Sequence, residues 1–279
     1  MKHEPISILL LGESDVGKTH YGAQVLRRLN SGSSAFELVN GGNLNPFKVA
    51  LDKISQGLSA PHTPRAESSE SLWTLRQRSN GSNIELVWPD YGGEQVSGMI
   101  NSKSLPSTWR DKLIKAAGWI FMVRPSQVPL PEDILTRAVS LPAVDDPVNS
   151  TLSPQSKLIE ILQMLKYKKQ SYLEHKGMPP PIVVLLSCYD ELATDESPSI
   201  YCRAHLPMFD QYLSSNWPEE RRRIFGVSPL GQPLSQTQPN DDYVASGPVK
   251  KGFVIDEQGN KTGDLLAPIE WLLSVSDMC

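Results

Sequence analysis

The sequence predicts an α/β fold, a three-layer sandwich with helices on both faces of a mostly parallel sheet that carries one antiparallel edge strand. Three observations predict it. Short apolar, β-branched runs alternate with longer stretches of helical character along most of the chain, the pattern of strands joined by crossover helices. The first run, Ile6–Leu11, passes directly into the glycine-bearing turn GESDVGKT and then into a helical stretch. Between two further strand-like runs stands Asn80-Gly81, the strongest hairpin signal in the chain, so that pair is antiparallel.

Taken in order, Ile6–Leu11 is the first buried strand and His20–Asn30 the helix after the turn. Asn45–Ser55 reads as a second helix. Leu72–Arg78 and Ile84–Trp88 flank Asn80-Gly81, and Arg76 and Arg78, alternating with Leu75 and Gln77, mark the first of the two as an edge-type strand. Trp109–Ala117 is helical and leads into the buried strand Gly118–Val123. In Gln155–His175, residues Leu158, Ile161, Leu162, Leu165 and Tyr172 form one apolar stripe, which leaves the lysines of that helix on a solvated face. Ile182–Ser187 is the next strand, Ile200–Trp217 the next helix, and Arg223–Ser228 the last strand, flanked by Arg221–Arg223. Pro268–Val275 closes the chain as a helix. Three regions read as irregular: the proline- and serine-rich loop Ser59–Ser71, the stretch Val128–Pro154 rich in prolines and acids, and the polar stretch Gln232–Gly263 with a hairpin around Glu257-Gln258-Gly259-Asn260. With no internal repeat and no clean linker, one domain over residues 1–279 is expected, with insertions near 128–154 and 232–263.

Composition narrows the class. A chain of 279 residues, 39% hydrophobic, can bury a full core without a metal or disulfide to hold it. A formal charge of −4 argues against a protein built around sequence-independent nucleic-acid binding. The three cysteines, Cys188, Cys202 and Cys279, are odd in number and lack C-x-x-C spacing, which points to a reducing compartment and no zinc site. The first apolar run ends at Gly12 without a cleavage-site pattern, and no run is long enough to cross a bilayer, so a cytoplasmic protein without a membrane span is expected.

GESDVGKT matches the phosphate-binding pattern G-x-x-x-x-G-K-[ST] at every fixed position, between a strand and a helix as the chemistry requires. Gly12 and Gly17 allow the backbone to curl until successive N–H groups face phosphate oxygens, and the following helix points its positive end at the same anion. The expected phosphate contacts are Gly12, Ser14, Asp15, Val16, Gly17, Lys18, Thr19 and His20. Lys18 reaches the β- and γ-phosphates, and the Thr19 hydroxyl ligates Mg²⁺.

The strand Ile84–Trp88 runs into Pro89-Asp90-Tyr91-Gly92-Gly93-Glu94. Asp90 at the strand tip can hold Mg²⁺ through water, and the Gly93 N–H can contact the γ-phosphate, a D-x-x-G spacing like the second switch of GTP-binding proteins. Glu94 stands where small GTPases of the Ras type carry a water-orienting glutamine, with Gln95 next. A carboxylate there can orient or deprotonate water but adds negative charge beside the γ-phosphate, so turnover is expected to be slow or partner-assisted; Glu94 can equally open the next helix as a first-turn acid. Ile182–Leu186 leads into Ser187-Cys188-Tyr189-Asp190, where Asp190 would accept from guanine N1–H and the 2-amino group. Cys188 occupies the usual lysine position and shortens the aliphatic cover of the base, leaving adenine as an alternative. Gly226-Val227-Ser228-Pro229-Leu230-Gly231 is similar to the loop that meets guanine O6, with Ser228 aligned. For the first switch, Thr63 is the candidate to sense γ-phosphate and Mg²⁺, with Thr74 as competitor inside a strand, and Arg65 could serve as an arginine finger in cis.

In this order the four motifs resemble the Ras-like, translation-factor-related GTPases. AGWIFMVRPSQ, the long helix after it and the closing Ala267-Pro268-Ile269-Glu270-Trp271-Leu272-Leu273 are similar to the bacterial double-GTPase family of conflict and anti-phage systems. The resemblance implies GTP/GDP and Mg²⁺ as cofactors, slow hydrolysis to GDP and phosphate with Lys18, Thr63 and Glu94 as its catalytic residues, and a protein partner or second GTPase. Two other readings remain: a nucleotide-binding interaction module that barely turns over, and an ATPase or kinase of the phosphate-loop class.

Overall fold

A computed structural model describes residues 5–32, 34–61, 70–88, 102, 104–105, 107–129, 152–172 and 178–276. All six expected strands form, and three more join them. Among the described residues the nine strands are β1 (Ile6–Gly12), β2 (Phe36–Asn40), β3 (Ser71–Gln77), β4 (Asn83–Trp88), β5 (Ala116–Val123), β6 (Ile182–Ser187), β7 (Arg222–Ser228), β8 (Phe253–Ile255) and β9 (Lys261–Thr262). They lie in one sheet of order β2-β3-β4-β1-β5-β6-β7-β8-β9. The centre, β4-β1-β5-β6-β7, is parallel throughout, while both margins are antiparallel.

The α-helices of the described residues are α1 (Lys18–Ser31), α2 (Asn45–Ser55), α3 (Thr108–Lys115), α4 (Pro154–Tyr172), α5 (Pro198–His205), α6 (Pro207–Asn216), α7 (Asp241–Ala245) and α8 (Ala267–Ser276). Because side chains alternate along a strand, β1 serves two cores. Leu9 and Leu11 join Trp119, Phe121, Trp109, Leu162 and Phe209 on the face covered by α3, α4 and α6. Ile8 and Leu10 join Tyr21, Val25, Phe47, Trp73 and Leu272 on the face covered by α1, α2 and α8. The three-layer sandwich follows from that alternation.

The antiparallel margin is wider than the single edge strand expected. β3 is not an edge: β2 pairs with it, and Arg76 and Arg78 reach across to Glu37 at 3.0 and 3.3 Å. The alternating arginines are therefore cross-strand partners of an acid on a five-residue strand too short to stand out in the sequence. At the other margin the hairpin around Glu257–Asn260 joins β8 to β9 as expected. Asn80-Gly81 likewise turns β3 into β4, with Gly81 at φ 72°.

Two helix expectations need correction. Ile200–Trp217 is not one helix: Pro207 lacks the N–H a continuing helix needs and forces Leu206 out of helical geometry, to φ −127°, ψ 50°, so α5 and α6 meet there. The buried Gln155 carboxamide then accepts from Met208 N and Phe209 N, at 3.0 and 3.3 Å, and caps α6. The lysines of α4 are not all solvated either. Lys169 Nζ donates to the carbonyls of Leu113, Ile114 and Ala116 at 2.8, 2.8 and 2.9 Å, closing the end of α3, and burial pulls its ammonium down to about 8. Lys169→Met would leave three helix-end carbonyls without that donor. The expected result is a loss of about 2 kcal/mol in unfolding free energy, read by urea denaturation.

Candidate functional site

Parallel strands all present their carboxyl ends on one margin, and the loops leaving β1, β5, β6 and β7 meet there. The β1 loop begins at Gly12, held at φ 155°; a Cβ there would lie 2.8 Å from the Met122 carbonyl, so only glycine lets β5 run this close. The backbone turns left-handed again at Asp15 (φ 58°) and Gly17 (φ 83°), the alternation that gathers N–H groups into an anion-binding hollow. Gly17 caps α1 without a side chain, so none competes for the helix's first N–H groups. Val16 anchors the loop in the core at 3% exposure, whereas Asp15 is exposed and Ser14 half-buried on the loop itself.

Lys18 folds back over this hollow. Its Nζ donates to the carbonyls of Gly12, at 2.8 Å, and Glu13, and burial pulls the ammonium down to about 8 against the opposing pull of Asp15 and Glu13. Burial also raises the Glu13 carboxyl, with Lys157 and Lys18 opposing. Thr19 follows in the first turn of α1. His20 is turned elsewhere: its Nε2 accepts from Ala60 N at 2.9 Å, tying the root of the 59–71 loop to the phosphate loop's helix.

The β6 loop carries the other expected contacts. Ser187 is fully buried and its hydroxyl donates to Val123 O at 3.2 Å, linking β5 to β6. Cys188 is left-handed at φ 52°, and its thiol, pushed up to about 12 chiefly by burial, abuts the phosphate loop: a Cβ on Gly17 would sit 3.9 Å from Cys188 Sγ. Tyr189 to Leu192 then form one turn of 3₁₀ helix. That turn is seated by the buried Tyr189 ring, which packs so tightly on β7 that a Cβ at Gly226 would come within 2.8 Å of it, and by its hydroxyl on Glu196 O at 2.8 Å. Asp190 stands half-buried on the turn. Ser228, at the end of β7, accepts from Gly231 N at 2.8 Å and shapes the loop after it.

Thr63, Arg65, Asp90, Gly93 and Glu94 lie outside the described residues. So does residue span 130–151 of the first expected insertion. The second, 232–263, is tightly seated: Asn240 N donates to Gly57 O at 3.1 Å and Ser59 N to Ser235 O at 2.9 Å, while Arg28 of α1, 6% exposed, donates to Gly263 O at 3.1 Å and to Lys251 O.

One pair was missed in the sequence. Arg124, the residue after β5, grips Glu191 of the 3₁₀ turn with both carboxylate oxygens 2.8 Å from Nη2, and Nη1 donates to the Asp15 carbonyl at 3.3 Å. The available signal was positional: a charged residue directly after a buried strand that neighbours the phosphate-loop strand.

A left-handed glycine cradle between a buried strand and a helix, with a half-buried lysine folded over it, defines a phosphate-loop nucleotide-binding protein. The particular family is also shown. The Double-GTPase 1 family model matches residues 9–272, so the chain belongs to that family and is a GTP-binding protein, a GTPase by family. No curated protein matches it. Similar solved structures include the bacterial selenocysteine-specific elongation factor EF-Sec, at 13% identity and TM-score 0.39, over 81% of this chain and 26% of that one. The GTP-bound GTPase-like domain of S. cerevisiae Ski7 matches at 15% and 0.45, over 82% and 43%. The Arl6 BBS3 small GTPase from Trypanosoma brucei with bound GppNp matches at 12% and 0.40, over 99% of each chain. The chain thus spans less than half of the elongation factor and of the Ski7 chain. Among the described residues no helix is long and apolar enough to cross a membrane.

The His20–Ala60 bond requires a neutral ring, and burial, with Arg124 adding repulsion, lowers the imidazolium from 6.5 to about 4. The unfolded chain therefore binds the extra proton between these values. The stabilisation is complete above pH 6.5 and is lost as pH falls toward 4, with an upper bound of about 3 kcal/mol. Denaturation of wild type and His20→Gln across pH 4–7 should show a steeper fall in the wild type.

Proposed function

We propose that the chain is a cytoplasmic, Mg²⁺-dependent GTP switch that hydrolyses GTP slowly to GDP and phosphate and acts with a protein partner or second GTPase in a bacterial defence system. Family membership supports the nucleotide. The single observation that carries the site is the convergence of the Lys18 loop and the Asp190 turn on one margin of the sheet, with Cys188 Sγ beside Gly17. Phosphates would take the loop N–H groups and draw the Lys18 ammonium away from the Gly12 and Glu13 carbonyls. Asp190 would read guanine N1–H and the 2-amino group. Ser228, whose side chain holds the β7 loop, would set that loop against O6, and Ser187, its hydroxyl engaged on Val123 O, would support the turn from below rather than contact the nucleotide.

The donors suit Mg²⁺: the Thr19 hydroxyl, the Asp90 and Thr63 oxygens and the phosphates are hard oxygen ligands. The ion would neutralise charge on the β- and γ-phosphates. Glu94 would orient the water that attacks the γ-phosphorus as the bond to the β-γ bridging oxygen breaks, giving GDP and inorganic phosphate. Such a site works by positioning and charge rather than covalent chemistry. Release of phosphate would free the loops carrying Thr63 and Gly93, changing the surface a partner meets.

The test is displacement of fluorescent GTP by GTP, GDP, ATP and XTP, with Lys18→Ala as a binding-deficient control. GTP and GDP should compete at least tenfold better than ATP. Asp190→Asn, which presents a donor in place of an acceptor, should weaken GTP by tenfold or more and favour XTP. Equal competition by ATP would overturn the guanine assignment, and tight GTP binding without phosphate release in single turnover would favour an interaction module.

A further inference from the structure

Cys188 leaves a gap on the base side of the site. Its side chain is short, it lies against Gly17, and burial keeps its thiol protonated, so it offers neither aliphatic cover nor positive charge to a nucleotide. A cation close enough to act on the Cys188 thiol comes from another strand. Arg124 emerges from the end of β5, spans from the phosphate loop to the turn that carries Asp190, and is locked at both ends: Nη1 on the Asp15 carbonyl at 3.3 Å, and Nη2 and Nε on Glu191 at 2.8 and 3.3 Å. Its side chain keeps 28% of its surface exposed, as does that of Glu191.

A partly exposed ion pair adds little to stability. What this one does is orient a guanidinium plane. Arginine with one edge held in a bidentate fork keeps its face available for stacking on an aromatic ring, and an N–H of Nη1 beyond the one on Asp15 for an oxygen acceptor.

We propose that Arg124, held by Glu191 and the Asp15 carbonyl, covers the guanine–ribose portion of the bound nucleotide and takes the place of the lysine that Cys188 replaces. The inference rests on the nucleotide reading above and deepens it, making Arg124 a base-side binding residue and Glu191 its positioning residue. Glu191 adjoins Asp190, so the same pair also fixes the turn that carries the base reader.

The deciding measurement compares ligands that share the phosphates but not the base. GTP, GDP and inorganic tripolyphosphate, each with Mg²⁺, are titrated calorimetrically into wild type, Arg124→Ala, Glu191→Gln, and Arg124→Ala combined with Cys188→Lys. Arg124→Ala should weaken GTP and GDP at least tenfold, leave tripolyphosphate within twofold, and leave the thermal midpoint of the ligand-free protein in place. Glu191→Gln should show a smaller loss of the same kind, and Cys188→Lys should recover most of the affinity lost by Arg124→Ala. Equal weakening of GTP and tripolyphosphate would make Arg124 a staple of the phosphate loop and overturn the proposal. So would unchanged GTP affinity, or a base-dependent loss that the added lysine does not recover. A wild type that binds ATP as well as GTP would overturn the guanine reading alone, because the contrast with tripolyphosphate still reports whether Arg124 covers a base.

Discussion

The distance between β1 and β5 at their carboxyl ends governs the whole nucleotide margin. At Gly12 the Met122 carbonyl leaves no room for a Cβ, and that close approach starts the curl of the phosphate loop while the strand beside it is still straight. Two residues beyond Met122, the same strand delivers Arg124 against the Asp15 carbonyl. Parallel pairing of β5 with β6 then brings Ser187 under Val123 and the Cys188 thiol to the flank of Gly17. A side chain at position 12 would move β5 outward, and with it the guanidinium and the 3₁₀ turn, so one missing methyl group sets the spacing of three loops.

Helix α1 is the second fixed body, and it is held from behind. Tyr21 donates to Leu265 O at 2.8 Å, Gln24 to the Tyr243 hydroxyl and Pro248 O, and Arg28 to three carbonyls of the 251–263 stretch. What reads in sequence as a polar insertion is thus a brace. The brace continues around the helix: Ser235 and Asn240 hydrogen-bond Ser59 and Gly57, and Tyr243 packs with Ala50, Ile54 and Ala60. The loop after β7 and the root of the 59–71 loop are therefore joined through one continuous packed segment, with His20 closing the contact from the α1 side.

The sheet's centre was legible because its strands are nearly pure apolar runs: Ile6–Leu11 and Ile182–Leu186 leave no competing period to read. The phosphate loop was legible because its chemistry fixes residue types at fixed spacing. What escaped were features with a partner distant in sequence. Phe36–Asn40 becomes a strand by pairing with β3, where Phe36 is buried and Glu37 lies opposite Arg76. Lys169 looks like any surface lysine until the end of α3 arrives beneath it. Arg124 and Glu191 are 67 residues apart, and nothing local couples them. Pro207, which has no N–H to donate to a continuing helix, carries the break between α5 and α6 in the sequence itself.

The electrostatics of the loop explain why an anion belongs there although the chain as a whole is acidic. Burial disfavours the charged form of Lys18 and brings it to about 8, with Asp15 and Glu13 opposing and the Gly12 and Glu13 carbonyls accepting from its Nζ. Burial raises the carboxyl of Glu13, at the loop's second position, with Lys157 and Lys18 opposing. A bound phosphate supplies the full counter-charge that neither provides, at the point where the N–H groups of the loop and of α1 already converge.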